Sequence, residues 1–202
     1  MTTFAELYAL TLTHTKRPEL PALTESAVRI ATLRAHHVDF FRRDLRTQQL
    51  TYAVNPTAMF YDFPDISNVL LPRLRSIKNI YTLTADGQHK IEELGYRETD
   101  DLYDSDGEPR RYVYTLVGDT LRCYFDMPTG LAEVYYFANP VLTSASFRSW
   151  IADEYPDDLA AWAAAIVFSR TGFLEMAATY QRDYITPFKE MLIASHLLGT
   201  VS

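Results

Sequence analysis

The 202-residue chain has one cysteine, seven glycines, no surplus of basic charge and no long run of apolar residues. With Cys123 alone, an internal disulfide and any site built from several thiolates are excluded. Cys123 lies in the alternating run TLRCYF, a pattern that predicts a buried structural thiol. The glycines are not clustered, so no loop can cradle a phosphate, and no serine stands in a GxSxG nucleophile elbow. A net charge of −7 argues against a general nucleic-acid binder, which needs a basic face. The longest uncharged stretches carry Pro, Gly or Thr, or run about four helical turns, short of the roughly 20 apolar residues a membrane helix needs. The opening MTTFAELYALTLTH has Glu6 inside its apolar part and no basic leader, which argues against a secretory signal. The expectation is a soluble protein made in cytoplasm.

What is present is apolar and aromatic. Hydrophobic residues make up 48% of the chain, enough for one sizeable core or a core with a satellite. Fourteen Tyr and eleven Phe serve cores and also protein–protein interfaces, a sign of assembly.

Three regions follow one another. In the first, Phe4, Leu7, Tyr8 and Leu12 recur on one helical face, and Thr3 with Glu6 forms a capping box. Pro18 and Pro21 break this helix, and a second runs from about Pro21 to the histidines with Leu23, Ala27, Ile30 and Ala31 as its stripe. From residue 45 the periodicity shortens. RSIKNIYTLT predicts a strand with Ile77, Ile80 and Leu83 inward, and RRYVYTLV-GD-TLRCYFDM predicts a hairpin turning at Gly118-Asp119. GLAEVYYFANP adds a strand to make a meander, while HKIEELGYRETDDLYDS is polar and reads as a short helical turn and a loop. From Ser146 the helical period returns. SFRSWIADEYP ends before Pro156, and DDLAAWAAAIVFSRTG is apolar almost all round, as a central helix would be. The last helix carries Pro187 inside its pattern, either after a Thr186 cap or at a kink.

The expected fold is α+β: residues 1–44 and 143–202 form a helical bundle domain, and residues 45–142 form a β-rich insertion domain of hairpin and meander.

The candidate chemistry sits in RAHHVDFF. His36 and His37 are adjacent, about 100° apart on a helix, whereas metal-binding histidines usually stand at i and i+4. Asp39 falls on neither face, and His14 and His196 offer third ligands only by coincidence of fold. A small metal-dependent hydrolase using His36, His37 and Asp39 is therefore the rival reading. The simpler one gives these imidazoles to the carbonyls and dipole at a helix C-terminus. The acidic run at Asp100–Asp106 resembles a calcium loop, but Leu102 and Val113 occupy its first and twelfth ligand positions. A solvated turn at Asp106-Gly107 explains it better. Arg42, Arg43 and Arg46 form a small basic cluster beside Asp39 and Asp44, suited to a partner contact or a solvated helix end.

Taken in order, these segments resemble the head-to-tail adaptor (connector) proteins of tailed bacteriophages, above all the short-tailed phages. The resemblance rests on TFAELYALTLTHTKRPEL, ATLRAHHVDFFRRDL, RSIKNIYTLTADG with its trailing IEELGYRETDDLYDSDG, YVYTLVGDTLRCYF, and SWIADEYPDDLAAWAAAIVFSRTGFLEMAATYQRDY. It covers nearly the whole chain, through motifs that are each architectural and loose. It implies a structural virion protein with no enzymatic activity, cofactor or metal. It further implies a homo-oligomeric ring of about twelve subunits, joining the portal protein to tail or nozzle proteins and extending the DNA channel without sequence-specific binding. Arg42, Arg43, Arg46, Met191, Leu192, Leu197 and Leu198 are the partner-interface candidates on this reading. The rivals are the metal-dependent hydrolase and a monomeric accessory binding module.

Overall fold

The computed structural model describes residues 1–55, 57–125 and 128–198, the last three by backbone alone. The chain forms two compact units, Met1–Asp44 with Asn139–Ser202, and Leu45–Ala138.

The helical unit begins with α1 (Phe4–Thr15), whose capping box forms. Thr3 Oγ1 accepts the Glu6 N–H at 3.2 Å, and Glu6 Oε2 accepts the Thr3 N–H at 2.7 Å, so two donors without helical partners are satisfied. Pro21 opens α2 (Pro21–His36) at a position where its missing N–H costs nothing. The buried stripe of α2 is Thr24, Ala27, Val28, Ala31, Thr32 and Ala35, rotated from the expected one, so Leu23 and Ile30 are only half-buried. The threonines reach burial because Thr24 and Thr32 donate to the carbonyls four residues back, at 2.9 and 2.8 Å.

Small residues on α2 suit its partner. Helix α4 (Pro156–Arg170) buries every residue from Leu159 to Phe168, and α1 and α2 both pack against it. Five alanines in that stretch let the neighbouring backbones approach closely, and Leu159, Trp162 and Val167 fill the remaining volume. Before α4 comes the short α3 (Trp150–Glu154), and after it α5 (Leu174–Tyr180) and α6 (Thr186–Leu198). Thr186 does not cap a fresh helix, because its own backbone is helical with φ −64° and ψ −51°. Residues Gln181–Ile185 run in π register, with the Thr186 N–H bonded to the Gln181 carbonyl, and the helix passes straight into α6. Shifting the ladder by one residue accommodates a proline that would otherwise break it.

The second unit is a single curled sheet of seven strands in the order β1-β7-β3-β4-β5-β6-β2. The strands are β1 (Leu45–Thr51), β2 (Tyr61–Phe63), β3 (Leu74–Leu83), β4 (Lys90–Tyr96), β5 (Val113–Val117), β6 (Thr120–Tyr124) and β7 (Leu131–Ala138). All neighbours pair antiparallel except β4 and β5, which meet in parallel at Gly95↔Val113 and Tyr96↔Tyr114. The hairpin turns at Gly118 with φ +61°. Leu50, Ile80, Leu94, Leu121, Cys123 and Val134 are fully or nearly fully buried in its own core. Burial pushes the Cys123 thiol well above its ordinary range, so it is a packing residue and not a nucleophile.

This corrects the expected fold class. The chain is a mixed α/β protein whose largest continuous element is the seven-stranded sheet, not a helical bundle with a β insertion. Two features of the sheet explain the difference. Strand β7 does not extend the hairpin as a meander; it lies between β1 and β3. Strand β4, expected as a helical turn and loop, links the hairpin to β3 and so makes one sheet out of two pieces.

Gly130 ends the approach to β7 with φ +88°, and a Cβ there would lie 3.3 Å from the Tyr52 carbonyl oxygen. Gly130→Ala should therefore destabilise the protein by about 1–2 kcal/mol, read as a lower urea midpoint with an unchanged slope.

Candidate functional site

The structure gives the two adjacent histidines different partners. His36 closes the last turn of α2 and is 2% exposed. Its Nδ1 lies 2.9 Å from both carboxylate oxygens of Asp44, and its Nε2 lies 2.9 Å from Ser149 Oγ. Asp44 ends a 3-10 turn, Arg42–Asp44, that folds the chain back onto α2. Ser149 is the N-cap of α3 and accepts the Ala152 N–H at 3.1 Å. Trp150 Nε1 donates to Asp44 Oδ1 at 3.0 Å, and its ring meets His36 and Phe41 edge-on.

These contacts fit one direction of donation. A carboxylate only accepts, so Nδ1 carries the hydrogen toward Asp44. For a neutral imidazole, Nε2 then accepts the Ser149 hydroxyl hydrogen, while Ser149 Oγ accepts from Ala152. Every member of the chain is satisfied. The connectivity matches the serine–histidine–aspartate order of acyl-transfer enzymes. Its setting does not: Ser149 is 5% exposed, and its oxygen is already engaged by both His36 and the α3 backbone. A substrate carbonyl has no approach to it. The arrangement can pin three elements together: the end of α2, the 3-10 turn and the start of α3.

His37 turns the other way and bonds Asn139 Oδ1 through Nε2 at 2.7 Å. Asp39 Oδ1 accepts the Phe40 N–H at 2.7 Å. The three residues proposed for a metal thus face three separate partners, and among the described residues no group of His, Cys, Asp and Glu could hold a metal ion. His14 packs against Tyr180 and Tyr184, and the side chain of His196 lies outside the described residues. In the acidic loop, Asp104 Oδ1 accepts the N–H groups of Asp106 and Glu108. Asp101 pairs with Arg97 and Arg110. These carboxylates are turned to their own loop and do not converge on a shared point.

The interface candidates are dispersed. Arg42 and Arg43 are exposed on the 3-10 turn of the helical unit, and Arg43 pairs with Glu154 and lies 4.9 Å over the Trp150 ring. Arg46 belongs to β1 of the sheet and donates to the Leu45 carbonyl at 2.9 Å. Met191 is exposed, whereas Leu192 is fully buried in the helical core. The side chains of Leu197 and Leu198 lie outside the described residues.

Sequence reasoning missed Asp44, Ser149 and Trp150 as partners of His36. Asp44 is eight residues away across a turn and Ser149 is 113 away. The one local signal was Ser149 itself, a capping residue type before a helix opening with Trp150.

His36→Ala removes the donor facing a buried carboxylate and should destabilise the protein by about 3–5 kcal/mol. Ser149→Ala, which loses the cap and one bond, should cost about 2 kcal/mol. A double-mutant cycle in urea should show the two substitutions coupled; additive losses would contradict the relay. A fluorophosphonate probe should leave Ser149 unlabelled, and labelling would return it to the list of nucleophiles. No family model matches the chain, and no curated protein matches it in sequence.

Proposed function

We propose that this chain is a structural assembly protein, the head-to-tail adaptor of a tailed-phage virion. It would form a ring of about twelve copies between the portal protein and the tail or nozzle proteins and carry the DNA channel past the portal. The observation that carries the reading is helix α5. It has no buried residue, although Leu174 and Met176 are 66% and 44% exposed and Phe173 just before it is 44% exposed. Downstream, Tyr184, Met191 and Ile193 are exposed on the same continuous helix. An ordered helix that leaves its apolar side chains in water is stabilised when an assembly covers them.

Two further features agree with the proposal. The polar groups most suggestive of chemistry, His36, Asp44 and Ser149, are engaged in internal bonds that hold architecture. The negative charge of the chain suits a conduit, because DNA affinity arises from Lys and Arg that release counterions. Virion localisation belongs to the same proposal. Among the described residues, no helix is long and apolar enough to cross a membrane.

The test is the mass of the purified chain with and without its portal protein. The expected outcome is a ring bound to the portal, and a chain that never joins a portal ring would sink the proposal. Leu174→Glu with Met176→Glu should leave stability within about 0.5 kcal/mol of the parent, because both side chains are exposed, yet abolish incorporation.

A further inference from the structure

Within the helical unit, a cleft of about 360 Å³ opens between α2, α4 and α5 with its π-register continuation. Its lining joins the apolar side chains of Ile30, Trp162, Ala165, Ile166 and Ile185 to the polar ones of Ser169 and Gln181, and the exposed Arg34 and Arg170 stand beside them. No acidic residue lines it. Several arginines elsewhere are matched: Arg29 with Glu25, Arg43 with Glu154, Arg122 with Asp62 and Arg182 with Asp183. Among the described residues no carboxylate pairs with Arg34 or Arg170. In a chain with 26 acidic and 19 basic side chains, this is a local positive site around a partly apolar hollow.

The complementary feature lies in the sheet unit. The loop Asp100–Asp106 presents Tyr103, 46% exposed, between Asp100 and Asp106, both exposed. Among the described residues no cation pairs with either aspartate. The loop is held in shape by its own backbone. Asp104 N donates to Glu108 O at 2.9 Å, Gly107 N to Asp104 O at 3.1 Å, and Tyr103 bridges Pro109. A preformed aromatic anchor flanked by carboxylates loses little freedom on docking, and an aromatic ring in a desolvated hollow is the usual centre of a strong interface.

We infer that the Arg34–Arg170 cleft receives the Asp100–Asp106 loop of a second copy of this chain, with Tyr103 in the hollow and Asp100 and Asp106 against the arginines. The inference rests on the assembly reading above and names a contact that would build it. Cleft and loop are different surfaces, so the contact is heterologous: each copy offers a cleft to one neighbour and a loop to another, which closes into a ring or continues as a filament.

Sedimentation of the full chain at low and high salt tests this, using R34E/R170E and D100K/D106K variants. All four positions are exposed, and melting curves confirm that the variants fold. The wild type should self-associate, and more weakly as salt rises. Each variant alone should be monomeric, and mixing the two should restore association, because both pairings are then of opposite sign. Tyr103→Ala should weaken association at least tenfold. A wild type that stays monomeric, variants that associate as the wild type does, or a mixture that stays monomeric would each overturn the inference. The assembly reading fails separately. If both variants join the portal like the wild type, the contact is wrong and the adaptor reading stands; if the wild type associates through the cleft but never joins a portal, the reverse holds.

Discussion

Helix α4 is buried through ten consecutive residues, Leu159 to Phe168, and the helical unit is arranged around that constraint. A helix without a polar face needs neighbours on every side. Here they come from chain segments far apart in sequence, α1 and α2 from one end and α5 with its π-register continuation from the other. Alanine makes the arrangement workable, because small side chains on α2 and α4 let the backbones come close. The same choice limits how much apolar area each contact buries, so the unit relies on specific polar ties where its segments end.

Those ties are the two histidines. Asp44 is the last residue of the first segment and Asn139 the first residue of the second. His36 bonds Asp44, and His37 bonds Asn139, both from the C-terminus of α2. Adjacent residues on a helix point about 100° apart, which prevents a shared metal and suits two separate tethers. The burial of the two differs accordingly. His36 sits in the interior, where its carboxylate partner must be paired, and His37 is exposed, where one bond to an amide suffices. Ser149 then links the first tether to α3, so the entry to α4 is fixed by the same imidazole.

What was legible in the sequence was local. The Thr3–Glu6 capping box, the Gly118 turn and the apolar α4 each depend on residues within a few positions of one another. Strand β1, LRTQQLT, was not legible, because it is a sheet edge paired only with β7 and buries Leu50 alone, leaving no alternation to read. Strand β4, KIEELGY, is charged and buries only Leu94, so a period-2 pattern never emerges. The position of β7 between β1 and β3 is a long-range pairing that no window of sequence contains. The candidate site divides in the same way. The histidines and their angular separation were visible, but their partners at Asp44, Asn139 and Ser149 come together only through the fold.

The placement of satisfied and unsatisfied groups bears on function. A catalytic centre holds reactive polar groups in a cleft, short of partners until a substrate arrives. Here the grouping that most resembles one, His36 with Asp44 and Ser149, is closed on itself and buried. Among the described residues a few buried polar atoms lack a partner, such as Thr15 Oγ1 and Thr115 Oγ1, but the exposed groups short of partners are of another kind: apolar side chains on α5, and two arginines around a partly apolar hollow. Water satisfies the arginines tolerably and the apolar groups poorly, so the free energy available from covering them lies at the surface. On the proposed reading, that outward apolar surplus is the surface a partner protein would cover.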